Sequence, residues 1–243
     1  MVATPDRGFV VLSAAMSLDG HVDDDSPDRL ILSGPEDLDE VDALRASCDA
    51  IVVGAGTVRA DDPRLVVRSA ARRAARVARG RPATPLRVVL SRSGDLPLGA
   101  ALFRVGGVGG VGGVVVVEEP TGPPLVLVPG VRLSAVRAAL SGVAEVAPAG
   151  PAGDPEDVLA ELTRRGARRV LVEGGTTVTT AFLAAGVVDE LRLAVAPFLL
   201  GRPAAPRLVG PGTFPAGPGS RARLREVRRV GDMAVLRYDL RRP

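Results

Sequence analysis

The sequence predicts an α/β protein built on a mostly parallel central sheet with an antiparallel C-terminal edge. Three observations predict it. Short β-branched runs alternate with amphipathic helix-like stretches along most of the chain, and such alternation lays strands parallel with helices as crossovers. Most of the strand-like runs are apolar at nearly every position rather than every second one, as strands covered on both faces are. The tail, Arg223 to Leu240, instead reads as two strands folded around Gly231, which closes the sheet with antiparallel pairing.

Taken in order, Phe9 to Met16 (FVVLSAAM) is the expected first buried strand, ended by the turn Ser17-Leu18-Asp19-Gly20. Leu30 to Leu32 reads as a short strand. Pro35 to Cys48 reads as a helix, with Leu38, Val41, Leu44 and Cys48 on one face. Its acids (Glu36, Asp37, Asp39, Glu40, Asp42) lie mostly elsewhere and crowd the first turns, where the helix dipole favours them. Ala50 to Val53 is the next strand, ended by Gly54-Ala55-Gly56. Ser69 to Pro85 is an insertion rich in Ala and Arg.

Leu86 to Leu90 and Val114 to Val117 read as further strands. Ser134 is placed to cap a short helix, Ala135 to Leu140. Glu156 to Arg165 is another helix, with Val158, Leu159 and Leu162 inward. Arg169 to Glu173 is a short buried strand, and Gly174-Gly175 opens a helix, Thr176 to Ala185, with Gly186 just past its end. Glu190 to Ala196 is the strand before the tail.

The chain has 243 residues, 46% of them hydrophobic, which suits a single domain over its whole length. With aromatics at 2%, the core must come from Val, Leu, Ala and Ile. No apolar run reaches the roughly 18 residues of a membrane span, and Met1 to Gly8 does not read as a signal peptide. A single cysteine, Cys48, cannot form an internal disulfide. These features lead us to expect a soluble cytoplasmic protein.

There is no lysine, and all 31 basic residues are arginine. That excludes Schiff-base and phosphate-loop lysines. One histidine, His21, and one cysteine exclude an ordinary zinc site, so no metal is expected. The zinc-deaminase signature is absent. Residues 68 to 92 hold eight arginines and no acid, which could form a nucleic-acid footprint. No aromatic stacking platform accompanies them and the formal net charge is only +3, so a solvated arginine-rich helix or loop is the reading and no nucleic-acid partner is expected.

Val170 to Phe182 is the strongest physical signal: strand, two glycines, helix. A helix N-terminus presents unpaired N–H groups, and glycines let a phosphate approach the backbone. The same glycines could equally make a tight turn and nothing more. Gly107 to Gly112 matches G-x-G-x-x-G but is followed by the β-branched run Val114 to Val117 instead of a helix, so it reads as a loop. His21 follows the S-L-D-G turn as a turn residue, and Cys48 is a small buried hydrophobe.

Several segments together resemble the riboflavin-biosynthesis pyrimidine reductase family, known also as the C-terminal reductase domain of bifunctional deaminase-reductases. They are Ala15 to Gly20 (AMSLDG); Leu44-Arg45-Ala46 with Asp49 to Asp62 (DAIVVGAGTVRADD); Pro63 to Arg68 (PRLVVR); Leu171 to Gly175 (LVEGG); and Val188 to Leu191 (VDEL) with Pro197 to Gly201 (PFLLG). The resemblance covers about residues 9–240. It implies a dihydrofolate-reductase-like fold, a homodimer, NADPH as cofactor, and reduction of the ribosylamino group of a pyrimidine phosphate to a ribitylamino group by direct hydride transfer.

By the same resemblance the NADPH contacts fall on Ala15, Thr57, Asp61 and the turn Gly174, Gly175, Thr176, Thr177. Arg92 stands where the family often has serine and could face the 2′-phosphate. Substrate contacts fall on Arg45, Leu65, Arg68 and Glu173, with Asp62 in the same cluster. Two arginines suit a ribose phosphate, because guanidinium binds phosphate bidentately. Glu173 is the candidate catalytic, orienting group. The chain departs from the family pattern at His21, where a lysine or arginine is usual, at Leu30 and Ile31, which replace an aromatic, and at Gly106 to Gly113. No deaminase half accompanies the reductase, so deamination falls to another protein or the substrate is the diamino form. The alternatives are a reductase of a related pterin-like or folate-like substrate in the same fold and an arginine-rich nucleic-acid-binding protein.

Overall fold

The computed structural model describes residues 7–24, 26, 30–104, 122–150 and 153–241. Among these residues, nine strands form one sheet in the order β5-β4-β3-β2-β6-β1-β7-β9-β8. Strands β1 (Phe9–Ser17), β2 (Ala50–Gly54), β3 (Leu86–Leu90), β4 (Leu125–Val128), β5 (Glu145–Pro148), β6 (Arg169–Gly174) and β7 (Glu190–Ala196) all run parallel. The hairpin β8 (Arg223–Val230) and β9 (Met233–Asp239) closes it, β9 pairing antiparallel with β7. This is the predicted architecture.

Period-two alternation sends apolar side chains to both faces. Val10, Leu12, Val52, Val88, Leu125, Leu127, Val170 and Val172 pack under α5 (Pro155–Arg164) and α6 (Thr176–Ala184). Val11, Ile51, Val53, Val89, Val126, Val128 and Leu171 pack under α1 (Pro35–Ser47), α2 (Ala55–Asp61) and α4 (Leu133–Ala139). Cys48 is buried in this second core, as expected. Among the described residues, no helix is long and apolar enough to cross a membrane.

Four expectations are corrected. Leu30 to Leu32 is not a strand; among the described residues the segment pairs with no neighbour, and it lines a cavity, with Ile31 72% exposed. Residues 55–61, where the sequence marks only a strand end at Gly54-Ala55-Gly56, form α2, because Gly54 stays extended as its N-cap and Asp62 ends it in the left-handed region at φ 42°. Ser134 caps nothing; α4 begins at Leu133 and Ser134 lies inside its first turn. Fewer acids of α1 face solvent than its pattern suggested. Asp37, 1% exposed, accepts from the equally buried Arg192 of β7, and Asp42, 3% exposed, binds the backbone N–H groups of Arg68 and Ser69. The strand expected at Val114 to Val117 and the loop at Gly106 to Gly113 lie outside the described residues; the strand beside β3 is β4.

The insertion 69–85 contains α3 (Ala70–Val77), capped by Ser69, whose hydroxyl accepts the N–H of Arg72. Its arginines are largely spent inside the molecule. Arg72 pairs with Asp39 and Asp42, buried Arg76 donates to the carbonyls of Ala46, Cys48 and Pro82, and Arg81 binds the Cys48 carbonyl and Asp49. Here guanidinium forks close open backbone groups instead of presenting a basic face.

Asp189, at the start of β7, gathers Arg7, Arg241 and the Val10 N–H around a fully buried carboxylate. Burial opposes its charge, but the Arg241 and Arg7 hydrogen bonds outweigh that and hold the carboxyl below its ordinary value of 3.8. A depressed acid stabilises the fold above its unfolded pKa and loses that stability as pH falls through the folded value. Urea midpoints should therefore fall as the pH drops below about 4. Asp189→Asn should flatten that acid limb and already cost roughly 3 kcal/mol at neutral pH, as loss of one member of a buried ion pair does. An unchanged acid limb in the variant would refute the assignment.

Candidate active site

The carboxyl ends of parallel strands form the edge where open α/β sheets bind ligands. Here β1, β2 and β6 end around a cavity of about 430 Å³. Ala14 and Ala15 of β1, Thr57 and Asp61 of α2, and the run Glu173 to Thr179 line it. Leu30, Ile31, Leu32, Pro206 and Leu208 also line it. A second cavity of about 300 Å³ adjoins it and shares Gly54, Gly56, Thr177 and Val178. Leu90, Leu127, Ala149 and Val158 give the second cavity an apolar floor. Among the described residues, Arg59 and Arg92 are its charged lining residues and no acid lines it.

The turn between β6 and α6 is the tightest part of the site. Gly174 and Gly175 have φ of 90° and 82°, a region that side chains rarely enter. A Cβ on Gly174 would sit 2.8 Å from Thr179 Oγ1, and one on Gly175 2.7 Å from Thr57 Oγ1. Thr57 in turn donates to the Gly174 carbonyl at 3.2 Å. The glycines bring the first N–H groups of α6, which lack intrahelical acceptors, to the cavity wall.

Glu173 owes its placement to an irregularity. The β2–β6 pairing slips between Val52 and Val53, so that Val52 faces Val172 and Val53 faces Gly174. Glu173 is the extra residue, and such bulges re-aim side chains beside functional sites. Its carboxylate reaches Arg45 of α1 in a two-point ion pair of 2.6 and 2.7 Å. Both side chains are largely buried, at 12% and 18% exposure. Burial works against the Arg45 charge, but Glu173 more than compensates and raises its pKa. Arg45 also donates to the Val66 carbonyl at 3.3 Å.

The structure thus brings Ala15, Thr57, Asp61, Glu173, Gly174, Gly175, Thr176 and Thr177 onto one cavity. It places Arg92 on the adjoining one. Arg45 of α1 is paired with Glu173, and Arg68, in the segment between α2 and α3, has its guanidinium on the Leu38 carbonyl at 3.1 Å; neither arginine lines either cavity. Leu65, expected at the substrate, is 1% exposed and packs in the core beneath the sheet, so it lines neither cavity. Asp62 accepts the Ala101 N–H at 2.6 Å. Arg59, Pro206 and Leu208 were not foreseen. Arg59 follows Gly56 at helical spacing on α2, where the sequence pattern placed no helix. Nothing local marks Pro206 or Leu208.

The S-L-D-G turn is a structural clasp. Asp19 accepts from Ser17, Leu200 and Gly201, which together hold its carboxyl far below the usual range. That ties the end of β1 to the Phe198–Gly201 segment.

The model of the RibD C-terminal domain family matches residues 8–236. The chain belongs to this family. It is 35% identical over 227 residues to the 2,5-diamino-6-ribosylamino-4(3H)-pyrimidinone 5′-phosphate reductase of Archaeoglobus fulgidus, covering 93% of this chain and 95% of that one. The reductase of the same name from Methanothermobacter thermautotrophicus is 35% identical over 237 residues, 97% of this chain and 99% of that one. Among solved structures, RibD of Acinetobacter baumannii superposes with a TM-score of 0.74 at 27% identity over 97% of this chain. The chain spans 58% of that longer protein. Membership in a reductase family accounts for a glycine turn and helix N-terminus on the cavity wall.

Proposed function

We propose that the protein is an NADPH-dependent reductase that converts the ribosylamino group of 2,5-diamino-6-ribosylamino-4(3H)-pyrimidinone 5′-phosphate to the ribitylamino form in riboflavin biosynthesis. The observation that carries this reading is the cavity at the ends of β1, β2 and β6, walled by the glycine turn and α6, in a chain aligned end to end with reductases of that name. Those relatives favour the diamino substrate over its deaminated counterpart.

The residues fit the cofactor. A pyrophosphate suits the N–H groups of α6 beside Gly174 and Gly175. The apolar wall of Ala15 and Leu30 to Leu32 suits a nicotinamide, with Thr57 and Asp61 alongside. The second cavity offers an apolar floor for adenine, and Arg92 with Arg59 for a 2′-phosphate. NADPH, when bound, supplies a hydride. The protein's share is to orient the substrate and exclude water. Arg45 and Arg68 hold the ribose phosphate, with Asp62 beside them, and Glu173 orients the pyrimidine or ribose. The working form is a cytoplasmic homodimer. The internal use of arginines in the 69–85 insertion speaks against nucleic-acid binding.

NADPH oxidation measured with the diamino pyrimidine phosphate, its deaminated counterpart and dihydrofolate tests the reading. Turnover with dihydrofolate alone would overturn it. On the cofactor side, Arg92→Ala should raise the Kd for NADPH by about tenfold, the loss expected of one charge-assisted contact, and leave the weaker Kd for NADH nearly unchanged. Equal losses for both nucleotides would take Arg92 off the 2′-phosphate.

A further inference from the structure

We infer that His21 is a positioning residue for the cofactor cavity, acting through the segment 205–208. This rests on the cofactor reading above. His21 is 2% exposed, although it directly follows a surface turn. Its Nδ1 lies 3.0 Å from the Ala205 carbonyl. A carbonyl only accepts, so Nδ1 carries the proton and donates. The backbone extends the contact. His21 forms an antiparallel bridge with Arg207, the Val22 N–H donates to the Pro206 carbonyl at 2.9 Å, and the Leu208 N–H donates to the Gly20 carbonyl at 3.2 Å. The Arg207 guanidinium returns to the Asp19 carbonyl at 3.2 Å.

The far side of the same segment is tied to α6. The Thr176 hydroxyl donates to the Arg207 carbonyl at 2.6 Å, and the Gly210 N–H donates to Thr180 Oγ1 at 2.8 Å. Residues 205–210 are therefore strung between the turn after β1 and the first turn of α6. Pro206 and Leu208 line the cavity, as does Thr176 at the N-terminus of α6. The His21–Ala205 bond is the buried side-chain anchor of that strap. Imidazole is short enough to stay beneath the strap and hold it.

The test compares His21→Leu, which fills the volume without a donor, with His21→Asn, whose amide can donate in place of Nδ1. Two readouts are taken: hydrogen exchange of residues 205–210 in the cofactor-free protein, and the Kd for NADPH by fluorescence. His21→Leu should speed exchange in the strap and raise the Kd by about tenfold, near 1.4 kcal/mol, with kcat at saturating NADPH within about twofold. His21→Asn should restore both readouts most of the way. Unchanged exchange in a folded His21→Leu overturns the clamp. Faster exchange with an unchanged Kd overturns its link to the cavity. Equal loss of stability and activity in both variants, without rescue by asparagine, marks His21 as a packing residue only and overturns the proposal. A wild-type protein that fails to bind NADPH defeats the cofactor reading, and the link to the cavity with it, while the exchange data still decide the clamp.

Discussion

Gly175→Val is expected to fold yet lose NADPH affinity by about a hundredfold, near 2.7 kcal/mol. Two costs combine. At φ 82° a β-branched residue is strained, by about 1–3 kcal/mol. Its Cβ would also stand 2.7 Å from Thr57 Oγ1. Thr57 cannot turn aside freely, because its hydroxyl holds the Gly174 carbonyl. The turn must therefore open, and the first N–H groups of α6 leave the line of the cavity wall. The fold itself should survive, since the turn lies at the sheet's edge and β6 and α6 keep their buried residues Val170, Leu171, Val172, Val178 and Phe182. Circular dichroism establishes folding, and fluorescence titration gives the Kd. A folded variant that binds NADPH like the wild type would remove this turn from the cofactor site. Gly175→Ala, with the same φ but no branch, should fall between.

The part of the site built from consecutive residues was legible in the sequence. Val170 to Phe182 carries its own instructions: an apolar run, two glycines and a helical face. The structure reproduces them within a residue at each end. The hairpin around Gly231 was legible for the same reason. What escaped was set by pairing between distant residues. Asp37 read as a solvated acid in a helix's first turn until Arg192, 155 positions away, was placed against it. The slip that frees Glu173 depends on how β2 registers against β6, and neither strand's own pattern encodes it. Leu30 to Leu32 looked like a strand because three apolar residues fit a buried strand as well as a cavity wall, and only the neighbours decide.

The arginines teach a related lesson. A run with eight basic residues and no acid resembles an electrostatic footprint when read alone. In the folded chain the acids come from elsewhere: Asp39 and Asp42 from α1 and Asp49 from the start of β2. Backbone carbonyls take most of the remaining donors described on α3. With lysine absent, each planar fork can satisfy several acceptors at once, which a compact ammonium does less well. The basic composition thus serves the fold around α1 and α3, next to Arg45 and Arg68, and leaves the ligand cavities with few charges.

Glu173→Gln is expected to lower kcat/KM for the pyrimidine phosphate by tenfold or more, an effect of about 1.4 kcal/mol or greater, while the Kd for NADPH stays within about twofold. The carboxylate ends an apolar strand and would be costly there without a partner. Arg45 is that partner, so a purely structural ion pair is the competing account. The geometry distinguishes the two roles. A pair that served only to brace the sheet edge would have no need of the cavity wall, yet Glu173 lines it while Arg45 does not. Glutamine keeps the length and one acceptor oxygen for Arg45 but removes the charge that fixes both guanidinium contacts. If bracing is its whole purpose, the melting temperature falls and turnover per folded molecule survives. If Glu173 orients the substrate, the melting temperature holds within a few degrees and turnover is lost. Arg45→Gln refines the test. Should Glu173 matter only by holding Arg45 ready for a phosphate, Arg45→Gln would reproduce the whole loss and the double variant would add nothing. An independent further loss in the double variant assigns Glu173 its own contact with the substrate, and a stable Glu173→Gln with near-normal kcat/KM would take it out of the active site.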